Sequence, residues 1–239
     1  MDTDFDKVMN LPKIMTKHAH FLPSNIFMIL AGPTGCGKTN LLFNFLLNGN
    51  LNYCDVYIYS TTLDQPKYQY LKKYYSDREA KLRKIGISHK IAYFFDSDEE
   101  IKSPSELDPN ASHIMIFDDV MNEDQKLIKD YFTKGRHYNT NVFYLCQSFH
   151  TLPKHGIRQN ANIFIFFEQD DKTMKYIYDT HISADMDFKE FKGLYGKAWS
   201  KRNGYLVINL WEEPICGKYI VNYKEIYVPS KYIKIHKNT

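Results

Sequence analysis

The sequence predicts an α/β fold of three layers, with helices covering both faces of a mostly parallel central sheet. Two observations carry that prediction. Apolar, strand-like runs recur at residues 25–31, 55–60, 90–95, 113–118, 141–147 and 162–167, with helix-like segments between most of them, which is the alternation of βαβ units. The runs are also apolar on both sides, as in Tyr57-Ile58-Tyr59 and Phe164-Ile165-Phe166-Phe167. A strand covered on both faces loses the polar alternation of a one-sided sheet. Crossovers between such strands are expected to be right-handed.

In chain order, the first run is followed by a helix over 38–47 that stops at Asn48-Gly49-Asn50, a plausible C-cap. A second helix over 65–84 carries Lys67, Lys72, Lys73, Lys81, Arg83 and Lys84 beside Tyr68, Tyr70, Tyr74 and Tyr75. It reads as a solvated amphipathic helix in preference to a DNA-facing surface. Residues 96–110 form an acidic, proline-bearing loop, and beyond Asp170 come helices near 172–181 and 188–195 and hairpin-like runs at 205–210 and 218–221. With no repeats and no low-complexity linker, residues 1–239 read as one domain, its core at about 25–170 and accessory elements at about 171–239.

Composition narrows the classes. The 239 residues are 44% hydrophobic, enough for one substantial core, and the net charge of +3 is too mild to declare a nucleic-acid binder by itself. Core packing accounts for the 19 Tyr and 16 Phe better than base stacking does. The four cysteines, Cys36, Cys54, Cys146 and Cys216, lie far apart without metal-ligand spacing and read as free buried thiols of a reducing compartment. The first ten residues are acidic where a signal peptide would be basic, and the longest apolar run, residues 26–31, is far short of the roughly 20 residues that span a bilayer. A soluble, intracellular protein without a membrane span is expected.

The chemistry-bearing motif is Gly32-Pro33-Thr34-Gly35-Cys36-Gly37-Lys38-Thr39, a complete GxxxxGK[ST] match between a strand and a helix. That context defines a P-loop: backbone N–H groups and the helix N-terminus face phosphates, the lysine reaches the β and γ phosphates, and the threonine hydroxyl meets Mg²⁺. All eight residues are therefore candidate nucleotide contacts, with ATP and Mg²⁺ the implied cofactors. Its partner is the run 113–117 ending in Asp118 and Asp119. Carboxylates at the carboxyl end of a strand sit where α/β sheets bind ligands. Asp118 is the candidate metal ligand and Asp119 the candidate base for the attacking water.

The next strand ends at Gln147, which reads either as a sensor of the γ-phosphate and the water or as a polar strand terminus. Arginines are few. Arg136 and Arg158 each precede a strand and read either as surface residues or as fingers reaching a neighbour's nucleotide.

The span GRHYNTNVFYLCQSFHTLPKHGIRQNANIFIFF (135–167), taken with GPTGCGKT and IMIFDD, resembles the genome-packaging ATPases of nucleocytoplasmic large DNA viruses and of virophages, within the FtsK/HerA superfamily. The resemblance covers about residues 25–167. It implies a RecA-like P-loop NTPase fold of the additional-strand class and an ATPase that drives double-stranded DNA into a preformed capsid as a homo-oligomeric ring, pentamer or hexamer. It further implies capsid or vertex proteins as partners, and residence at the viral factory in the host cytoplasm or in the virion. By the same resemblance Gln147 is the sensor, and Arg136 is preferred to Arg158 as the finger. Two departures stand out: Asp119 replaces the Glu common in the wider superfamily, and no further DNA-guiding or nuclease domain is recognisable. A nucleotide kinase, a non-translocating DNA-associated ATPase and a non-catalytic capsid-vertex scaffold are the competing readings. The lysines at 218, 224, 231, 234 and 237 suit DNA contact, capsid docking or a solvated tail equally.

Overall fold

The computed structural model describes residues 18–97 and 101–236; the acidic first ten residues, residues 98–100 of the acidic loop and Lys237 lie outside them. The described residues build a sheet of nine strands: β1 (Phe27–Ala31), β2 (Asp55–Ser60), β3 (Ala92–Phe95), β4 (His113–Asp118), β5 (Thr140–Cys146), β6 (Ile163–Phe166), β7 (Leu206–Asn209), β8 (Tyr219–Val221) and β9 (Glu225–Tyr227). Their order is β3-β2-β4-β5-β1-β6-β7-β8-β9. The first six are parallel, and β7, β8 and β9 continue the sheet antiparallel. β5 lies between β1 and β4, the strand insertion that the additional-strand class requires.

Both faces of the sheet are covered. Met28 and Leu30 of β1 pack with Leu42 and Leu46 of α1 (Lys38–Leu47) and with Tyr68, Leu71 and Tyr75 of α2 (Pro66–Lys84). The alternate residues Phe27, Ile29 and Ala31 face Ile128 and Tyr131 of α3 (Lys126–Lys134), Met174 of α4 (Asp171–Ile177) and Phe191 of α5 (Phe188–Trp199). The period-2 alternation of a strand thus divides the apolar residues into two cores, and the three predicted layers follow. A last helix, α6 (Ser230–His236), follows β9. Among the described residues no helix is long and apolar enough to cross a membrane.

Some local expectations needed correction. Tyr68 and Tyr75 of α2 are fully buried, so only part of that helix, Tyr70 included, is the solvated surface the sequence suggested. The helix expected near 172–181 ends at Ile177, and a wider turn, Tyr178–Ile182, completes it. Strand β9 was not anticipated. The segment after Gly217 is packed, not a tail: Lys218 Nζ donates to Asp185 at 2.5 Å and Lys231 Nζ donates to the Ala184 carbonyl at 3.0 Å. All four cysteines are free, but Cys54 and Cys216 are exposed.

Two buried asparagines fix the amino end of β1. Asn141 Oδ1 accepts the Ile26 N–H at 2.9 Å and a contact from His18 Nε2 at 3.2 Å. From the other neighbour, Asn162 Oδ1 accepts the Phe27 N–H at 2.9 Å while its Nδ2 donates to the Asn25 carbonyl at 2.7 Å. Truncating either asparagine leaves buried backbone groups unpaired. Asn162→Ala is expected to lower the unfolding free energy by about 2 kcal/mol; a urea titration with an unchanged midpoint would refute this.

Candidate functional site

Strands β1 and β4 end level with one another because β5 aligns both: Ala31 pairs with Cys146, and Asp118 with Leu145. The chain leaves β1 at Gly32, whose N–H donates to the Cys146 carbonyl at 3.1 Å. A Cβ at Gly32 would lie 2.6 Å from Phe167 Cβ and 2.8 Å from Cys36 Sγ, so only glycine fits the turn. Gly37, at φ 108°, is the N-cap of α1 in a left-handed conformation that side chains resist. The loop therefore delivers Lys38 and Thr39 as the first residues of α1, at the helix end where backbone donors and the dipole favour anions.

Lys38 is buried, and its ammonium donates to the carbonyls of Gly32 at 2.6 Å and Pro33 at 3.0 Å. The Thr39 hydroxyl donates to Asp118 Oδ2 at 3.1 Å. The same carboxylate oxygen accepts the Tyr68 hydroxyl, from the first turn of α2. Burial pushes the Asp118 carboxyl up from its ordinary value, against the hydrogen bonds of Tyr68 and Thr39 and the charges of Lys67 and Lys38. Burial likewise raises the Cys36 thiol, and it pushes Cys146 up to about 12, so both thiols stay protonated at neutral pH.

Asp119 has a left-handed backbone at φ 60°. Its carbonyl accepts the Thr61 hydroxyl at 3.0 Å, and its Oδ1 accepts Gln147 Nε2 at 3.2 Å. Asp and Asn tolerate this region better than longer residues. That preference accounts physically for an aspartate where a glutamate was the commoner expectation.

Thr34, Gly35, Gly37, Lys38, Thr39, Asp118, Asp119 and Gln147 therefore line one cleft of about 180 Å³ at the carboxyl edge of the sheet. Thr39 and Asp118 present oxygen donors, which suits a hard divalent cation. Among the described residues no group of three His, Cys, Asp or Glu is placed to hold a metal.

The two arginines lie elsewhere. Arg136 is exposed in the turn Gly135–Tyr138, its guanidinium 5.7 Å from the ring centre of Phe27 at the amino end of β1, across the sheet from the cleft. Arg158 lies in the turn Lys154–Arg158 with its guanidinium over Phe149 at 5.3 Å and over Tyr176 at 5.0 Å.

Among the residues of the site that sequence reasoning missed, three bond directly to its predicted members. Lys67 donates to Thr39 Oγ1 at 3.0 Å, Tyr68 holds Asp118 and Thr61 holds the Asp119 backbone. A signal was present: Ser60 ends β2, the strand beside β4, and Thr61 and Thr62 follow it at the ligand-bearing edge.

The family described as Poxvirus A32 protein matches residues 16–189. No curated protein matches the chain. Among solved structures, the genome packaging NTPase B204 from Sulfolobus turreted icosahedral virus 2 in complex with AMPPCP is 13% identical, with a TM-score of 0.54 over 84% of this chain and 98% of that one. The same protein in complex with AMP is 12% identical, with a TM-score of 0.55 over the same 84% and 98%. B204, the DNA-packaging ATPase from Sulfolobus Turreted Icosahedral Virus, is 15% identical, with a TM-score of 0.51 over 79% of this chain and 93% of that one. At these identities the likeness speaks for the fold, which is that of a P-loop NTPase.

Gly32→Ala is expected to fold less stably by about 2 kcal/mol, because the new methyl overpacks Phe167, and to weaken nucleotide binding by displacing the loop. Thermal unfolding and titration with a fluorescent nucleotide check both, and a variant matching the parent in each would refute the steric reading.

Proposed function

This chain belongs to the Poxvirus A32 protein family, and from that premise we propose that it is an ATP-hydrolysing motor that moves double-stranded DNA into a preformed capsid. The observation that carries the reading is the shared cleft. A P-loop lysine and threonine face two strand-end carboxylates, and the second carboxylate is held by an amide from the strand between them.

Each group has a task in phosphoryl transfer to water. The N–H groups of Gly35 to Thr39 and the start of α1 cradle the phosphates. Lys38 exchanges its two carbonyl partners for β and γ oxygens, placing a charge where negative charge develops. Mg²⁺, which Thr39 and Asp118 would hold, would supply neutralisation of the charge that develops on the transferring phosphoryl group. Tyr68 donates to Asp118 and so keeps the carboxylate oriented while it is buried. Asp119 orients and deprotonates the attacking water. Its Oδ1 is occupied by Gln147, which leaves Oδ2 for that water.

Among the described residues no arginine lines the cleft, which supports completion of the site by a neighbouring subunit in a homo-oligomeric ring, with Arg136 or Arg158 as the donor. A nucleotide kinase would instead bring arginines over its acceptor, and the Asp119–Gln147 pair suits water better than a nucleoside phosphate.

Lys38→Ala is expected to abolish tight ATP binding, and Asp119→Asn to preserve binding while lowering kcat by about a hundredfold or more. Calorimetric titration and steady-state hydrolysis separate the two; normal turnover by Asp119→Asn would remove Asp119 from the base role. Long double-stranded DNA is expected to stimulate hydrolysis, with the stimulation falling as salt rises. Hydrolysis indifferent to DNA, together with no ring in sedimentation under any nucleotide condition, would sink the translocase reading.

A further inference from the structure

Lys67 is the second residue of α2, half-buried, with its ammonium 3.0 Å from Thr39 Oγ1. The Thr39 hydroxyl spends its one proton on Asp118 Oδ2, so only its lone pairs are left to meet a cation. Lys67 donates to one of them. A divalent ion on the same oxygen would bring a second positive charge beside the ammonium, and two positive charges so close in a partly dehydrated cleft repel strongly.

Resting on the reading of the cleft as a Mg²⁺–ATP site, we propose that Lys67 competes with the divalent ion for the Thr39 hydroxyl and, when the ion binds with nucleotide, transfers its ammonium to the terminal phosphate. Three features favour that route. Its neighbour Tyr68 is fully buried and bonded to Asp118, so the helix backbone stays in place and the four-carbon stem of Lys67 does the moving. Lys67 lines the same cleft as Lys38 and Gly35, which puts the phosphate chain within the cleft that Lys67 already faces once Asp118 is occupied by the ion. A lysine ammonium is a compact charge with three rotatable donors, suited to exchanging a hydroxyl for a phosphate oxygen. The site would then hold two cations in cis, one from the P-loop and one from α2. The second would discriminate a triphosphate from a diphosphate, because only the triphosphate offers the oxygen it seeks.

The test uses the full chain as wild type, Lys67→Met, Lys67→Arg and Lys38→Ala. Mn²⁺ affinity in the presence of saturating ADP is read by electron paramagnetic resonance, and affinities for fluorescent di- and triphosphate analogues by anisotropy. Lys67→Met is expected to bind Mn²⁺ about threefold more tightly, its competitor being gone, and to lose about tenfold in preference for triphosphate over diphosphate. Lys67→Arg is expected to keep most of that preference. Unchanged Mn²⁺ affinity or unchanged triphosphate preference in Lys67→Met overturns the proposal. If Lys38→Ala loses nucleotide while Lys67→Met behaves as wild type, only the role of Lys67 fails; if Lys38→Ala binds nucleotide normally, the ATP-site reading fails with it.

Discussion

The site depends on the register of one strand. β1 lies between β5 and β6, and Asn141 and Asn162 hold its amino end from both sides by bonding the backbone at Asn25, Ile26 and Phe27. A slip of one residue would exchange the two cores, since Met28 and Leu30 face α1 while Phe27 and Ile29 face α3. It would also move Gly32 away from the Cys146 carbonyl, and with it the level at which Lys38 and Thr39 meet Asp118. Hydrogen bonds at one edge of the sheet thus set the chemistry at the other.

The cleft concentrates cost as well as function. Asp118 is buried and would be expensive to ionise alone. It is stabilised by donors from two separate elements, or by charges near them: Thr39 and Lys38 of α1 and Tyr68 and Lys67 of α2. Those contacts tie α1, α2 and β4 together through a single carboxylate. Removing one donor therefore disturbs the arrangement of the rest, and a cation entering the cleft competes with groups already arranged around the same oxygens.

The alternation of apolar runs gave the three layers in advance because burial on both sheet faces is written into consecutive residues such as those of β1, β4 and β6. The P-loop and the Asp118-Asp119 pair were equally legible, since each is a local pattern whose chemistry needs contiguous residues. Lys67 and Tyr68 were not, because their spacing along α2 reads as one more amphipathic turn, and only the parallel pairing of β2 with β4 brings them to Asp118. Lys218 was hidden for the same reason: its acid, Asp185, is 33 residues away. The short strand β9 has three residues, too few for a period-2 signal to rise above its surroundings.

The aspartate at position 119 ties backbone to mechanism. After Asp118 the chain must turn at once so that Asp118 can face Thr39 while the next carboxylate faces the strand tip at Gln147. That turn is made with a left-handed residue, φ 60°, which costs an ordinary side chain on the order of 1–2 kcal/mol and an aspartate less. The Thr61 hydroxyl braces the turn from β2, and the Gln147 amide braces the carboxylate from β5. A glutamate would gain reach at the expense of backbone strain and of the short contact to Gln147. With aspartate the reach is supplied by position, because the turn itself carries the carboxylate into the cleft, and it needs no longer side chain to get there.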